Sequence, residues 1–532
     1  MSSYILVVSL VIFICLFLNK VSNKLGLPTL LLFIFLGMLF GSDGIFKIYF
    51  DNYIVSEYIC SIALIFIMFY GGFGTNWERA KPIATKSILL STIGVILTSL
   101  IVGIFCYYIL KFEFLESMLI GAVISSTDAA SVFSILRSKR LNLKYNTASL
   151  LEVESGSNDP CANILTIVIL SFMSSQSNDT NILYMVFAQV VYGIVLGIIV
   201  ALLASVILTK AKFSTEGFAS IFVFGVALIS YSATTFIGGN GYLSTYITGI
   251  ILGNKAIPNK KPLVNFFNGI TGLMQILIFF LLGLLSFPSQ LPKVFLPALA
   301  IALFLTFVAR PLAVFIILKP FKCPINQQLL ISWSGLRGAA SIVFAIIPIV
   351  SPAYTQNDIF HIVFFIVLFS IAIQGSLIPF VAKKLDMIDD ENDVMKTFSD
   401  YSEEIPLQFI KLFIGNNHPW KNKRIKEISS LPDILTVLII RKDKQIVPNG
   451  DTLILEEDIV ILTGPSLDDE PFGYLTEVKI EKDSDWLNMS LCDIKFNQNK
   501  LIILIKRDKE AIIPTGKTII LENDILIISN QY

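Results

Sequence analysis

Residues 151–170 read LEVESGSNDPCANILTIVIL, which places Glu152, Glu154 and Asp159, together with a glycine and a proline, in and just before a run as oily as a membrane helix. A carboxylate near the bilayer centre costs about 2.5–3.5 kcal/mol even on mild insertion scales, so such residues face an interior path rather than lipid. Whether this stretch crosses a membrane therefore decides both the fold and the purpose of its acids. Composition answers the first half. Of 532 residues, 54% are hydrophobic and 15% charged, and the mean hydropathy of +0.74 lies well outside the range of soluble globular proteins. The fold class expected is a polytopic α-helical membrane protein.

Composition also excludes several functions. Net charge is zero and no basic cluster is large enough to hold nucleic acid. Cys15, Cys60, Cys106, Cys161, Cys323 and Cys492 are scattered without CxxC or Cys/His spacing, which argues against zinc, iron–sulfur clusters and a disulfide framework. They read as packing residues, and no cofactor is expected. With two histidines and no Ser/His/Asp order, an enzyme is not expected either. The run Tyr4–Leu18 lacks a basic leader and a small-residue cleavage site, so it reads as an uncleaved first span.

Thirteen apolar runs are long enough for a bilayer core of about 30 Å. The runs at 27–41 and 241–253 are short; the fifth covers 115–136, the sixth 148–174 and the twelfth 326–350. Lysine and arginine test the division, because they should crowd alternate connections. Eighteen fall on one set, from Lys20 and Lys24 through Arg137, Lys139, Arg140 and Lys144 to Lys383 and Lys384, and three, Lys47, Lys111 and Lys293, on the other. The expected orientation has the N-terminus outside and the C-terminus in the cytoplasm.

After Lys384 the composition turns acidic and polar, reading as a linker over 386–403 that closes a transmembrane domain of 1–385. Short β-branched runs and turn signals follow, and comparison of the tail with itself reveals a repeat at an offset of 66 residues. Trp420 matches Trp486, Arg441 matches Arg507, Pro448 matches Pro514, Gly450 matches Gly516, Thr452 matches Thr518 and Asp458 matches Asp524. Two copies of a small α/β module are expected at 404–466 and 472–532. GKT at 516–518 hints at a phosphate loop, but Ala511 stands where that loop needs its first glycine, and the first copy reads GDT. Transport would thus run on ion gradients.

Two membrane segments carry acids among helix-breaking residues: Thr127 and Asp128 in the fifth span, Glu154, Ser155, Asn158 and Asp159 in the sixth. Interrupted helices expose carbonyls that, with carboxylate and hydroxyl oxygens, can coordinate a dehydrated cation. Burial penalises a bare carboxylate, so a proton and a metal ion compete for it. One acid that holds either but not both suffices to couple their movement in opposite directions. The alternative role for Asp128 and Asp159 is to cap helix ends or pair with an arginine. Arg310 in FVARP and Arg337 in SGLRGAAS each need an anion, which Glu154 or Glu152 can supply; for Arg337 a structural ion pair is favoured. If spans 1–6 and 8–13 are inverted repeats, TDAASVF of the fifth matches GLRGAASIVF of the twelfth, giving two broken, crossing helices. His361 is left out of the site.

STDAASVFSIL, LEVESGSNDP and SGLRGAAS, in this order on the fifth, sixth and twelfth spans, resemble the monovalent cation:proton antiporters of the NhaP-like, sodium/hydrogen-exchanger branch. The resemblance covers residues 1–385. The tail copies, with P-x-G-x-T and a downstream Asp, are similar to the TrkA-C (RCK-C) modules of potassium-handling proteins, a combination found in potassium/proton antiporters. The resemblance implies that Asp159 carries cation and proton with Asn158 beside it. It also implies that Thr127 (through its carbonyl), Asp128 and Ser155 share the site, and that Glu154 and Arg337 brace the core. It further implies electroneutral exchange of H⁺ for K⁺ or Na⁺, a homodimer in the cell's inner membrane, an elevator-like movement, and a tail able to bind a small cytoplasmic ligand such as cyclic di-AMP. One departure stands out: Tyr70, in MFYGGFGT, occupies a place where many relatives carry an acid. Rival readings are a ligand-gated cation channel, for which no TVGYG-like filter is present, and a transporter of another substrate class.

Overall fold

The computed structural model describes residues 2–25, 28–138, 141–174, 181–210, 216–255, 257, 260–351, 355–389, 407–416, 418–428, 435–441, 444–465, 475–481, 484, 486–493, 500–507, 510–512, 514–516 and 518–530. The chain divides into two compact units, Met1–Glu404 and Ile405–Tyr532. Of the residues expected to mark the basic face, Lys139, Arg140 and Lys212 lie outside the described set, as do 390–403 of the acidic linker.

The first unit is helical. Among the described residues, seven helices are long and apolar enough to cross a membrane: Tyr53–Gly74, Ala84–Tyr108, Ile182–Lys210, Gly217–Phe236, Pro262–Leu285, Pro288–Phe321 and Ile359–Lys384. Each coincides with an expected crossing. The other six expected segments fall on helices that are short, such as Thr29–Phe40 and Gly241–Asn254, on helices that are broken, or on ones that carry charge. The fifth segment is split into Phe114–Val123 and Ala129–Ser138, and the twelfth into Ile325–Trp333 and Ala339–Val350. The breaks have local causes: Ser125, Ser126, Thr127 and Asp128 offer side-chain partners that compete with the helix ladder, and Gly335 and Gly338 flank Arg337 in the other. The sixth segment departs from expectation. Thr147–Met173 is one helix running through Pro160, whose ring removes a single ladder N–H, the one that would have reached the Gly156 carbonyl.

Glycines set two close helix crossings. Helix Gly241–Asn254 packs on Tyr53–Gly74, where a Cβ at Gly249 would collide with the Phe69 carbonyl and one at Gly72 with the Tyr246 carbonyl. Helix Thr29–Phe40 packs on Lys260–Leu285 through Gly37 and Gly283 in the same manner. Small residues let backbones approach where lipid supplies no hydrophobic drive. Under the inverted repeat these two pairs exchange, second on tenth and ninth on third. The repeat extends to a π-helical turn in each of the fourth and eleventh segments, Leu90–Gly94 and Leu305–Ala309.

The chain leaving the last helix does not depart at once. Leu143 and Ile388 form an antiparallel bridge; the Lys144 N–H donates to the Met387 carbonyl (2.9 Å) and the Asp389 N–H to the Asn142 carbonyl (3.0 Å). Lys144 Nζ lies 3.1 Å from Asp386. The first residues of the expected linker are thus folded back onto the loop that joins Ala129–Ser138 to Thr147–Met173.

The second unit holds strands β1 (Leu407–Phe413), β2 (Leu435–Arg441), β3 (Lys444–Ile446), β4 (Ile459–Pro465), β5 (Leu475–Lys479), β6 (Lys500–Arg507), β7 (Glu510–Ile512) and β8 (Ile525–Asn530). They form two antiparallel sheets of order β1-β4-β2-β3 and β5-β8-β6-β7. Among the described residues the unit carries strands, turns and one 3₁₀ turn, Ile425–Glu427, so the helical part of an α/β module is not seen; 429–434, 466–474 and 494–499 lie outside the described set. The offset of 66 residues reaches fine detail. A register shift between Thr436 and Leu438 recurs between Ile502 and Leu504, and positive φ at Asn422 and Glu457 recurs at Asn488 and Asn523.

The matched Arg and Asp of the repeat are an ion pair in each copy. Arg441 grips both oxygens of Asp458 (2.8 and 2.7 Å) and the Leu453 carbonyl; Arg507 does the same to Asp524 and Ile519. Burial alone would raise the Asp458 and Asp524 carboxyls, but the arginine fork, a backbone N–H (Leu455 or Leu521) and the arginine charge outweigh it and hold both below the usual carboxylate range. A depressed folded-state pKa gives stability that is present above the unfolded value of about 4 and lost as pH falls through the folded one. Hydrogen-exchange protection of β4 and β8 in the full chain should therefore be flat from neutral pH down to about pH 5 and fall below about pH 4.

Candidate cation and proton site

The two breaks meet. The Asp128 N–H donates to the Leu336 carbonyl (2.8 Å), and Arg337 Nη1 donates to the carbonyls of Ser125 (2.9 Å) and Ser126 (2.6 Å). The guanidinium thus satisfies carbonyls that the broken helix leaves without donors. The Arg337 N–H is in turn bonded to Ser370 Oγ (3.1 Å), which donates to Gln374 Oε1 (2.9 Å) in a third π-helical turn, Ser370–Gly375.

Helix Thr147–Met173 runs beside this junction and delivers its polar face to it. Ser126 donates its hydroxyl to Asp159 Oδ1. Asn158 donates to the Thr127 hydroxyl at 2.5 Å, and the Ser155 hydroxyl to the Thr127 carbonyl at 2.8 Å. All five expected site residues therefore gather at this junction: Asp128 through its N–H, and Thr127, Ser155, Asn158 and Asp159 through hydrogen bonds to the first break. Asp159, Asn158 and Thr127 are buried. Among the described residues, Asn158 Oδ1 and Glu154 Oε2 are buried oxygens without a hydrogen-bond partner.

Asp128 plays a second part. Its Oδ1 accepts from the Ser131 N–H (3.3 Å) and its Oδ2 from the Ser131 hydroxyl (2.6 Å), so it caps the Ala129–Ser138 helix, whose free N–H groups favour a negative charge there. The capping alternative weighed from the sequence thus describes Asp128.

The buried ion pair is not the expected one. Glu154 pairs with Arg310, Oε1 to Nη2 at 2.5 Å, with the side chains 1% and 3% exposed. Arg337, expected as its partner, instead spends its donors on the Ser125 and Ser126 carbonyls. Arg310 wins because it follows the π turn Leu305–Ala309 and lies over Gly335, where a Cβ would come within 2.8 Å of its Nε. Tyr70 packs against the main apolar core.

Sequence reasoning passed over Ser126 at the site and a pair of asparagines beyond it. Ser126 bonds the carboxylate itself and was readable as a hydroxyl beside the TD pair. Asn163 lies four residues beyond Asp159, hence on the same helix face. Asn240, which caps Gly241–Asn254 by accepting from the Leu243 N–H (2.8 Å), donates to Asn163 Oδ1 at 3.0 Å.

The sodium/hydrogen exchanger transmembrane family model matches residues 8–384. The chain belongs to the sodium/hydrogen exchanger family. The TrkA-C domain model matches this exchanger twice, over 411–468 and 475–529. Among curated proteins the exchanger is 38% identical to a K(+)/H(+) antiporter NhaP of Alkalimonas amylolytica over 72% of its own length and 67% of that protein. It is 31% identical to a K(+)/H(+) antiporter NhaP2 of Shewanella sp. strain ANA-3 over 87% and 81%. Its fold is similar to that of MjNhaP1, a sodium proton antiporter of Methanocaldococcus jannaschii solved at pH 8. That match has a TM-score of 0.64, 26% identity, and coverage of 72% of this chain and 98% of the other.

Proposed function

We propose that this exchanger moves protons against K⁺ or Na⁺ across the cell's inner membrane, with the Asp159 carboxylate as the shared carrier. The observation that supports it is the placement of Asp159, a buried acid held by the Ser126 hydroxyl at the junction of two broken segments. Around it lie oxygens of the kind hard monovalent cations take: the Asn158 Oδ1, the Ser155 hydroxyl and the Thr127 hydroxyl and carbonyl. When a cation enters, the Ser155 hydroxyl turns from the Thr127 carbonyl and both oxygens become available. Asp128 adds negative charge beside the path while it caps its helix. Because the neighbour of Asp159 is the neutral Asn158, a single carboxylate exchanges one proton for one cation, and transport is electroneutral.

K⁺ is favoured as cargo by the names of the two curated relatives. The lysine bias supports an N-terminus outside and a C-terminus in the cytoplasm. Residues 1–385 then form the exchange domain and 386–403 the linker, with 404–466 and 472–532 the regulatory modules, which take a small cytoplasmic ligand such as cyclic di-AMP. A homodimer fits the family. In everted vesicles with a pH-sensitive dye and a clamped membrane potential, adding K⁺, Na⁺ or Li⁺ separately should move protons with at least one of them. Proton movement that follows potential alone would replace this reading with a channel.

A further inference from the structure

An exchanger open to one face must be shut to the other, and two features flank Asp159 along that axis. Toward the lysine-rich connections lies a cavity of about 470 Å³ lined by Pro28, Phe33, Ser131, Ile135, Asn268 and Gln275 among others. Ser131 is the residue bonded to Asp128, so the cavity comes within one side chain of the junction. Toward the lysine-poor face, about one helical turn or 6 Å past Asp159 along its helix, Asn163 meets Asn240. Both are buried, 5% and 2% exposed. The Asn240 amide donates to Asn163 Oδ1 at 3.0 Å and lies 3.5 Å from the Pro160 carbonyl. Its own N–H is held by the Gln189 carbonyl (3.0 Å).

These two asparagines stand on different packed groups. Helix Gly241–Asn254 packs chiefly on Tyr53–Gly74, Ile182–Lys210 and Glu216–Phe236, whereas Thr147–Met173 packs chiefly on Phe114–Val123 and the Ala84–Tyr108 helix. The two helices meet at Gly156, where a Cβ would run into the Tyr246 ring, and again at the asparagine pair. A paired amide suits a contact that must open: parted, each half bonds to water at little net cost, whereas an apolar plug would expose area and an ion pair would have to be rehydrated.

We propose that Asn163 and Asn240 form a reversible latch that closes the transport site toward the lysine-poor face, and that their separation accompanies opening to it. The proposal rests on the exchange reading above. A ligand-independent bias of this kind is a population term, so its loss changes the apparent cation affinity at the two faces in opposite senses.

The test uses the full chain in right-side-out and everted vesicles, with half-saturating K⁺ (or whichever cation the wild type exchanges) measured from each face. Asn240→Ala, Asn163→Ala and the double variant should each keep exchanging. Each should change the ratio of the two half-saturating concentrations by about two- to tenfold, the worth of one net hydrogen bond, with the double no larger than either single. An equal change at both faces, or none, would overturn the latch. A second arm places Asn163→Cys and Asn240→Cys in a background lacking the six native cysteines and bridges them with a bifunctional methanethiosulfonate. Exchange should stop and return on reduction, while the reagent leaves exchange by either single-cysteine variant unchanged; undiminished exchange in the bridged protein overturns the proposal. A wild type that exchanges no cation would instead sink the transport reading itself, which keeps the two failures distinct.

Discussion

Asp159→Asn is expected to reduce cation-driven proton movement to that of vesicles lacking the protein, with the amount of detergent-extracted folded protein unchanged. The substitution keeps the shape of the side chain and an Oδ1 able to accept the Ser126 hydroxyl, so the junction of the two breaks should survive. What it removes is the group that binds a proton on one visit and a cation on the next. Asp128→Asn makes the sharper contrast. Asparagine caps a helix about as well as aspartate: one oxygen still accepts from Ser131, while the amide can donate to its hydroxyl in place of the second oxygen, and the main loss is the negative charge beside the path. Weakened cation affinity with exchange retained is the expected outcome there. Substantial exchange by Asp159→Asn, measured with K⁺, Na⁺ and Li⁺ in turn, would remove Asp159 as carrier.

The second large effect concerns folding rather than transport. Arg310→Ala should lower the yield of folded protein steeply, because Glu154 would be left as a buried carboxylate without its counter-charge, a loss of about 3–5 kcal/mol. Glu154→Ala strands the arginine in the same way. Replacing both with apolar residues of similar volume, Arg310→Met with Glu154→Leu, should recover much of the loss, since a buried pair is often no more stabilising than well-packed hydrocarbon. Thermal unfolding in detergent reads all three. Arg337→Ala acts differently: it strips the donors from the Ser125 and Ser126 carbonyls at the broken end, so its effect should fall on exchange as well as on stability. Equal yields for Arg310→Ala and wild type would show that Glu154 is neutral or finds another partner.

Much of this was legible before any coordinates. Helix-breaking polar residues inside oily runs announced the split of the fifth and twelfth segments, and lysine alternation divided the chain into crossings that coincide with the seven long apolar helices. The tail's β-branched runs marked strands and its offset paired Arg441 with Arg507 and Asp458 with Asp524, but that each arginine grips the aspartate of its own copy appears only in the structure. What sequence periodicity could not supply is which helices are neighbours. Two arginines and two glutamates allow several pairings, and only the π turn before Arg310 and the bare backbone at Gly335 select Arg310 for Glu154. The same limit hid Asn240: its partner lies 77 residues away in the chain, and a helix cap in a GGNG turn gives no sign of what it touches. Pro160 misled in the opposite direction, since a proline and a glycine in one run suggested an interruption where the helix merely gives up a single ladder bond.

The tie between residues 142–144 and 387–389 has a mechanical meaning. The loop it fastens is the common root of the helix that Asp128 caps and the helix that carries Asp159, and Met387 and Leu143 seal it by burial in one apolar cluster. Tension on the chain at Asp389 is therefore borne first by that root rather than by the end of the last helix. Residues that precede the Asp159 helix and residues that follow the last helix are thus fastened together, by the Leu143–Ile388 bridge and the Lys144–Asp386 ion pair.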